Sequence, residues 1–160
     1  MTSNCSCMNS CNDKISIPLF SNKELQNSIK RDTINLEEEI FQRRFNMPFI
    51  QSKVSVSLTD TQKENIKSKL GKAISLIPGK AEQWLMVEIK DNCCLYFQGN
   101  QDAPTAFVEV KIFGKASSQV YDSLTNEICN ILNTELSIPK NRIYLKYEEV
   151  ANWGWNGGNF

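Results

Sequence analysis

The chain contains no histidine, and that absence excludes more chemistry than any other feature of its composition. Ser-His-Asp and Cys-His nucleophilic catalysis, histidine-ligated zinc and the usual acid–base group near neutrality all go with it. Proton transfer at neutral pH then needs another group whose pKa has been brought near 7. Net charge is also lacking. Eighteen basic residues cancel eighteen acidic ones, six against six before Pro48 and twelve against twelve from Pro48 onward. A strongly basic face, the footprint of a nucleic-acid partner, is not implied. No apolar run approaches the roughly 20 residues of a membrane helix, so no membrane partner is expected. Met1-Thr2-Ser3-Asn4-Cys5 lacks the basic and then apolar pattern of a secretory signal, which makes the cytosol the default address. The six cysteines are badly placed for a framework: of residues 5, 7, 11, 93, 94 and 129, three fall in the first eleven positions. Cys5, Cys7 and Cys11 have no fourth ligand in view, so they read as part of a tail and not as a metal site or lipid attachment. Neither a metal nor another cofactor is expected.

What is present divides at Pro48. Residues 1–47 form an N-terminal extension. Its first thirteen residues are rich in Ser, Asn and Cys and are expected to be disordered. Over 22–45, Leu25, Ile29, Leu36, Ile40 and Phe41 make a thin helical stripe broken by Asp32-Thr33.

From Pro48 the pattern is strong. Phe49, Ile50, Val54 and Val56 make a β-prone run with polar residues between them. Thr59-Asp60-Thr61-Gln62 offers a capping box. Ile66, Leu70, Ala73, Ile74 and Ile77 then follow at helical spacing until Pro78-Gly79. Trp84 to Ile89 reads as a buried strand, and Cys93 to Phe97 as a short one after an Asp91-Asn92 turn. The theme then repeats. Ala106 to Phe113 is a strand, Val120, Leu124, Ile128, Ile131, Leu132 and Leu136 stripe a helix, and Arg142 to Val150 is a strand after Pro139. Trp84 follows Pro48 by the same interval that separates Arg142 from Ala106. Two βαβ repeats with right-handed crossovers give an α+β domain over 48–160, a four-stranded mixed sheet with both helices on one face. The other face is expected to carry apolar side chains that this chain does not cover, which argues for an oligomer.

Met47-Pro48-Phe49-Ile50, Pro78-Gly79-Lys80, Ile112-Phe113-Gly114-Lys115, Arg142-Ile143-Tyr144 and Asn152-Trp153-Gly154-Trp155-Asn156-Gly157 resemble, in order and spacing, the macrophage migration inhibitory factor family of tautomerases. The resemblance implies a homotrimer that tautomerises phenylpyruvate-like α-keto acids at a site between subunits. By position Pro48 resembles the catalytic proline and Lys80 the lysine that binds the substrate carboxylate. Phe113 stands where a backbone amide helps hold the substrate, Tyr144 resembles a tyrosine supplied by the neighbouring subunit, and Trp155 and Phe160 correspond to aromatic walls. The family name also implies an alternative of another class, a secreted cytokine-like ligand for a cell-surface receptor, exported without a signal peptide. Lys146 departs from the asparagine of vertebrate members and would add a cation near the pocket. Trp153 replaces a smaller aliphatic residue and would narrow it. Thr105-Ala106-Phe107-Val108 replaces a Cys-x-x-Cys motif, so no thiol redox activity carries over.

The chemistry suits a protein without histidine. A chain-terminal proline is a secondary amine, and burial among Phe49, Phe113 and Trp155 beside Lys80 would lower its pKa toward the working pH of a general base. Inside the full chain, however, the Pro48 nitrogen is a tertiary amide and has no basic lone pair. Three explanations compete: initiation at Met47, cleavage before Pro48, or a retained extension on a trimeric binding module. The first is preferred, because Met47 stands where initiation would produce the right terminus.

Overall fold

The computed structural model of the chain describes residues 47–159; the expectations for residues 1–46 and for Phe160 lie outside the described residues. The elements run β1 (Pro48–Val54), α1 (Asp60–Ala73), β2 (Met86–Lys90), β3 (Ala106–Phe113), α2 (Ser118–Leu136) and β4 (Ile143–Val150), followed by the short strands β5 (Gly154–Trp155) and β6 (Gly158–Asn159).

Each helix begins and ends for a local reason. At the head of α1 the Thr59 hydroxyl accepts from the Gln62 amide at 3.2 Å, and the Gln62 side chain accepts from the Thr59 amide at 3.0 Å. Two donors that the first turn cannot satisfy are thereby paired. Thr59→Ala is expected to cost about 1 kcal/mol. Chemical denaturation would check this, and an unchanged midpoint would refute the role of the cap. α2 ends where Ser137 turns left-handed at φ 55°, its amide donating to the Asn133 carbonyl at 2.9 Å, and Pro139 follows. Ile66, Leu70 and Ala73 of α1 and Leu124, Ile128, Ile131, Leu132 and Leu136 of α2 are buried together against the sheet. The stripes expected from the sequence are the ones buried.

The sheet order is β2-β1-β3-β4. β1 pairs parallel with β2 and β3 parallel with β4, as two crossovers demand, and the central β1–β3 pair is antiparallel. Ile50, Ser52 and Val54 of β1 and Ala106, Val108, Val110 and Ile112 of β3 are buried beneath the helices.

Where Trp84 to Ile89 is expected as a buried strand, β2 begins only at Met86 and lies at the sheet edge, with Met86 69% exposed, and two further expectations are corrected. The helix-free sheet face is not apolar. Its middle is an ion-pair ladder in which Lys146 meets Glu109 at 3.2 Å and Glu148 at 3.3 Å, while Lys90 meets Glu88 at 2.9 Å. Aromatic side chains occupy only its ends, Phe49 and Phe113 at one, Phe107 and Tyr144 at the other. The period of two explains this. Phe49 and Ile50, or Phe107 and Val108, are adjacent in sequence but point to opposite faces, so a run of apolar residues overstates what the second face receives. Such pairs are each worth 1 kcal/mol or less, but they keep the face compatible with water. Lys146, for which the sequence leaves an exposed strand face and the pocket both open, lies in this ladder within the chain. The second correction concerns Cys93 to Phe97, which forms no ladder strand. The Cys93 amide donates to the Val54 carbonyl at 2.9 Å while the chain crosses the end of β1 on its way from β2 to β3. It runs alongside neither sheet edge, and Phe97 makes only an isolated bridge to Asn100.

Candidate active site

Pro48 opens β1 and is buried. It faces Ile112 across the central pair, so Met47 continues the ladder by one residue toward Phe113, the last of β3. The Phe113 amide donates to the Met47 carbonyl at 3.5 Å. The Phe113 carbonyl accepts from the Lys80 ammonium at 2.7 Å. One residue, Phe113, thus ties Lys80 through its carbonyl to the residue before Pro48 through its amide. Lys80 arrives on the loop after the left-handed Gly79 (φ 76°) and is only 7% exposed. Burial lowers its pKa from the ordinary 10.5 to about 8, because the charged ammonium loses water there.

Beside Pro48 runs a groove of about 500 Å³ lined by Phe49, Trp84, Leu85, Met86, Trp153 and Trp155, with Met47 and Pro48 in its wall. That volume suits a small organic ligand. Trp155 reaches the groove because β5 and β6 form a hairpin. Asn156 (φ 50°) and Gly157 (φ 82°) make its two-residue turn, the conformation that Asn-Gly favours. Trp84 stands edge-on to Trp155 with ring centroids 5.8 Å apart. It comes to the groove because Met86, two residues on, pairs with Phe49.

Pro48, Lys80, Phe113 and Trp155 therefore gather at one end of the sheet, while Phe160 lies outside the described residues. The side chains of Phe113 and Lys80 are not among the groove walls; Phe49, Trp84 and Trp153 take that part. Tyr144 is elsewhere. It pairs with Phe107, five positions along β3 from the Ile112 that faces Pro48, roughly 17 Å at the rise of a strand. It is 60% exposed and packs edge-on against Phe97. Arg142, the other charged residue near it in sequence, is occupied structurally: its guanidinium donates to the carbonyls of Ala103 and Pro104 at 3.1 and 3.2 Å.

Trp84 is the wall residue that sequence reading missed as part of the site. Its signal was its place just before β2, in the loop that also carries Lys80. The Asn156-Gly157 turn was also legible, as a hairpin signature in the tail.

Two βαβ repeats around an antiparallel central pair, with a proline heading the first strand beside an aromatic groove, define an α+β protein of the tautomerase fold. The chain belongs to the macrophage migration inhibitory factor family. The family model described as "Macrophage migration inhibitory factor (MIF)" matches residues 47–160. The Xenopus laevis macrophage migration inhibitory factor is 31% identical over 103 residues, 63% of this chain and 89% of that one. Among solved structures, Leishmania major MIF2 superposes with a TM-score of 0.67 at 35% identity, covering 72% of this chain and 99% of that one. The homologue from Prochlorococcus marinus has a TM-score of 0.60 at 30% identity over 70% of this chain and 98% of its own. Membership supports isomerase chemistry of the tautomerase kind, or a function like that of the migration inhibitory factors, at the coarse level.

Proposed function

We propose that residues 48–160 are a keto–enol tautomerase for phenylpyruvate-like α-keto acids, active when Pro48 is the chain's first residue, and that residues 1–47 are no part of the active form. The observation that supports this most is the backbone of Phe113, whose carbonyl meets Lys80 and whose amide meets the Met47–Pro48 junction. In the reaction the freed Pro48 nitrogen takes a proton from the carbon next to the carbonyl while the carbonyl oxygen gains one, giving the enol; the reverse returns the ketone. Lys80 pairs with the substrate carboxylate and sets the carbon against Pro48, and the tryptophans hold the aryl ring. Tyr144 of a second copy, in a homotrimer, completes the site at the oxygen, since within one chain it stands at the far end of the sheet. If the extension persists, the acylated Pro48 leaves a binding module and a receptor ligand becomes the better description.

The direct test follows the enol absorbance of an arylpyruvate in the presence of a chain beginning at Pro48 and of the full chain. Acceleration by the first alone is expected, and no acceleration by either sinks the proposal. Trp84→Ala, made in the chain that begins at Pro48, is expected to raise KM for aryl substrates about fivefold with kcat little changed. A wall contact of about 1 kcal/mol binds ground and transition states alike. A loss confined to kcat would remove Trp84 from this role.

A further inference from the structure

We infer that the folded full-length chain is locked against activation, so the Met47–Pro48 bond must be cut before the sheet assembles. The inference rests on the tautomerase reading only for what the lock controls; the lock itself is a matter of access.

Met47 is 5% exposed, and its carbonyl takes the Phe113 amide. That amide is the donor expected to hold a substrate oxygen, so the chain's own peptide stands in for a ligand. Met47 also forms part of the groove wall beside Pro48 and Trp155. The intact junction therefore disables the site twice, by acylating the amine and by engaging the Phe113 amide with the Met47 carbonyl.

The other side of the bond is harder still to reach. An endoprotease grips an extended segment on both sides of the bond it cuts. Here the residues that follow are Pro48, Phe49 and Ile50, and they sit in a central strand. Phe49 is paired with Met86 on one side and Lys111 on the other, while Ile50 is fully buried. Lifting β1 out of the sheet breaks both of its ladders and uncovers the core, so opening this bond amounts to unfolding the domain. An aminopeptidase working inward meets the same obstacle one residue earlier, because Met47 must leave its buried position to enter the enzyme. Cleavage then tracks the population of unfolded chain.

The test uses the full chain, folded, with proteinase K in one arm and a methionine aminopeptidase after partial trimming in another, read by intact mass. Fragments that retain Met47 are expected under native conditions, with Pro48-terminated product appearing only as urea drives unfolding. Rapid accumulation of a species beginning at Pro48 without denaturant would overturn the lock. Amide exchange gives a second readout: Phe113 is expected to exchange at least tenfold faster in a chain that begins at Pro48 than in the full chain, and equal rates would remove the Met47 contact. Turnover by the Pro48-terminated chain is scored separately. Its absence would count against the tautomerase while leaving the mass result to decide the lock.

Discussion

Replacing Pro48 by glycine in a chain that begins at residue 48 is expected to lower kcat/KM for an arylpyruvate by about 10²- to 10⁴-fold, the usual contribution of a positioned general base. The variant keeps an amine at the same place in the chain, so it separates the ring from the mere presence of a terminus. Proline's fixed φ aligns the nitrogen with β1, and its ring carries apolar surface into the wall shared with Phe49 and Trp155. A glycine amine is free to rotate and better hydrated, which favours its charged form at neutral pH. The fall should appear mainly in kcat, since the carboxylate and aryl contacts do not involve the ring nitrogen. Thermal melting of the variant provides the control. A Pro48→Gly chain that melts normally and turns over at the original rate would show that the proline ring plays no part in the base.

Lys80→Met is expected to act in opposite directions on turnover and on stability. Losing a charge-assisted contact to the substrate carboxylate should lower kcat/KM about 10- to 100-fold, from an interaction of about 1.5–3 kcal/mol. The same substitution should stabilise the domain near pH 7. Folding brings this ammonium to 7% exposure and lowers its pKa to about 8, so below pH 8 the folded state bears the cost of a buried charge. Between about pH 8 and the ordinary 10.5 the folded chain has released the proton while the unfolded chain still holds it, and stability rises with pH across that window. The gain approaches about 3 kcal/mol at most. Denaturation of the wild type minus that of Lys80→Met, measured from pH 7 to 11, isolates this group from the other lysines and the tyrosines. A difference curve that is flat over that range would mean the ammonium is hydrated in the fold. The catalytic profile should show the complementary effect, kcat/KM falling above about pH 8 as Lys80 loses its charge. Such a cation, held at the expense of stability, is what the usual trade-off between function and stability predicts for the proposed site.

Much of the fold was legible because local patterns coincide with tertiary demands. The stripe Ile66, Leu70, Ala73, Ile74 and Ile77 is buried as spaced. The Thr59 and Gln62 capping box forms as written, and the Ile-Pro pairs close each helix segment. Within the candidate site, Pro48, Lys80 and Phe113, which the sequence singles out through short motifs, come together in the structure. Each motif lies at the end of an element, where the parallel and antiparallel registers bring β1, β3 and the Lys80 loop to one edge.

Where the reading failed, it failed on quantities that a linear pattern does not contain. A run such as Ala106-Phe107-Val108 is apolar in sequence, yet alternation sends its members to two faces, and the charges between them turn the second face into an ion-pair ladder. Cys93 to Phe97 has strand-forming residues but meets only the end of β1, through the Cys93 amide, and a ladder requires a partner along its length. Trp84 joins Trp155 only because the β1–β2 register and the Asn156-Gly157 hairpin aim two distant segments at the same groove.

The sequence by itself determined the two βαβ repeats, the helix boundaries and the exclusion of histidine chemistry, since propensity, capping and periodicity act over a few residues. Tertiary structure alone decided which tryptophans meet, that Lys80 is desolvated against the Phe113 carbonyl, and that Met47 is buried at the junction. Those outcomes depend on strand register and on how far neighbouring segments exclude water, and both arise only when residues distant in the chain are brought together.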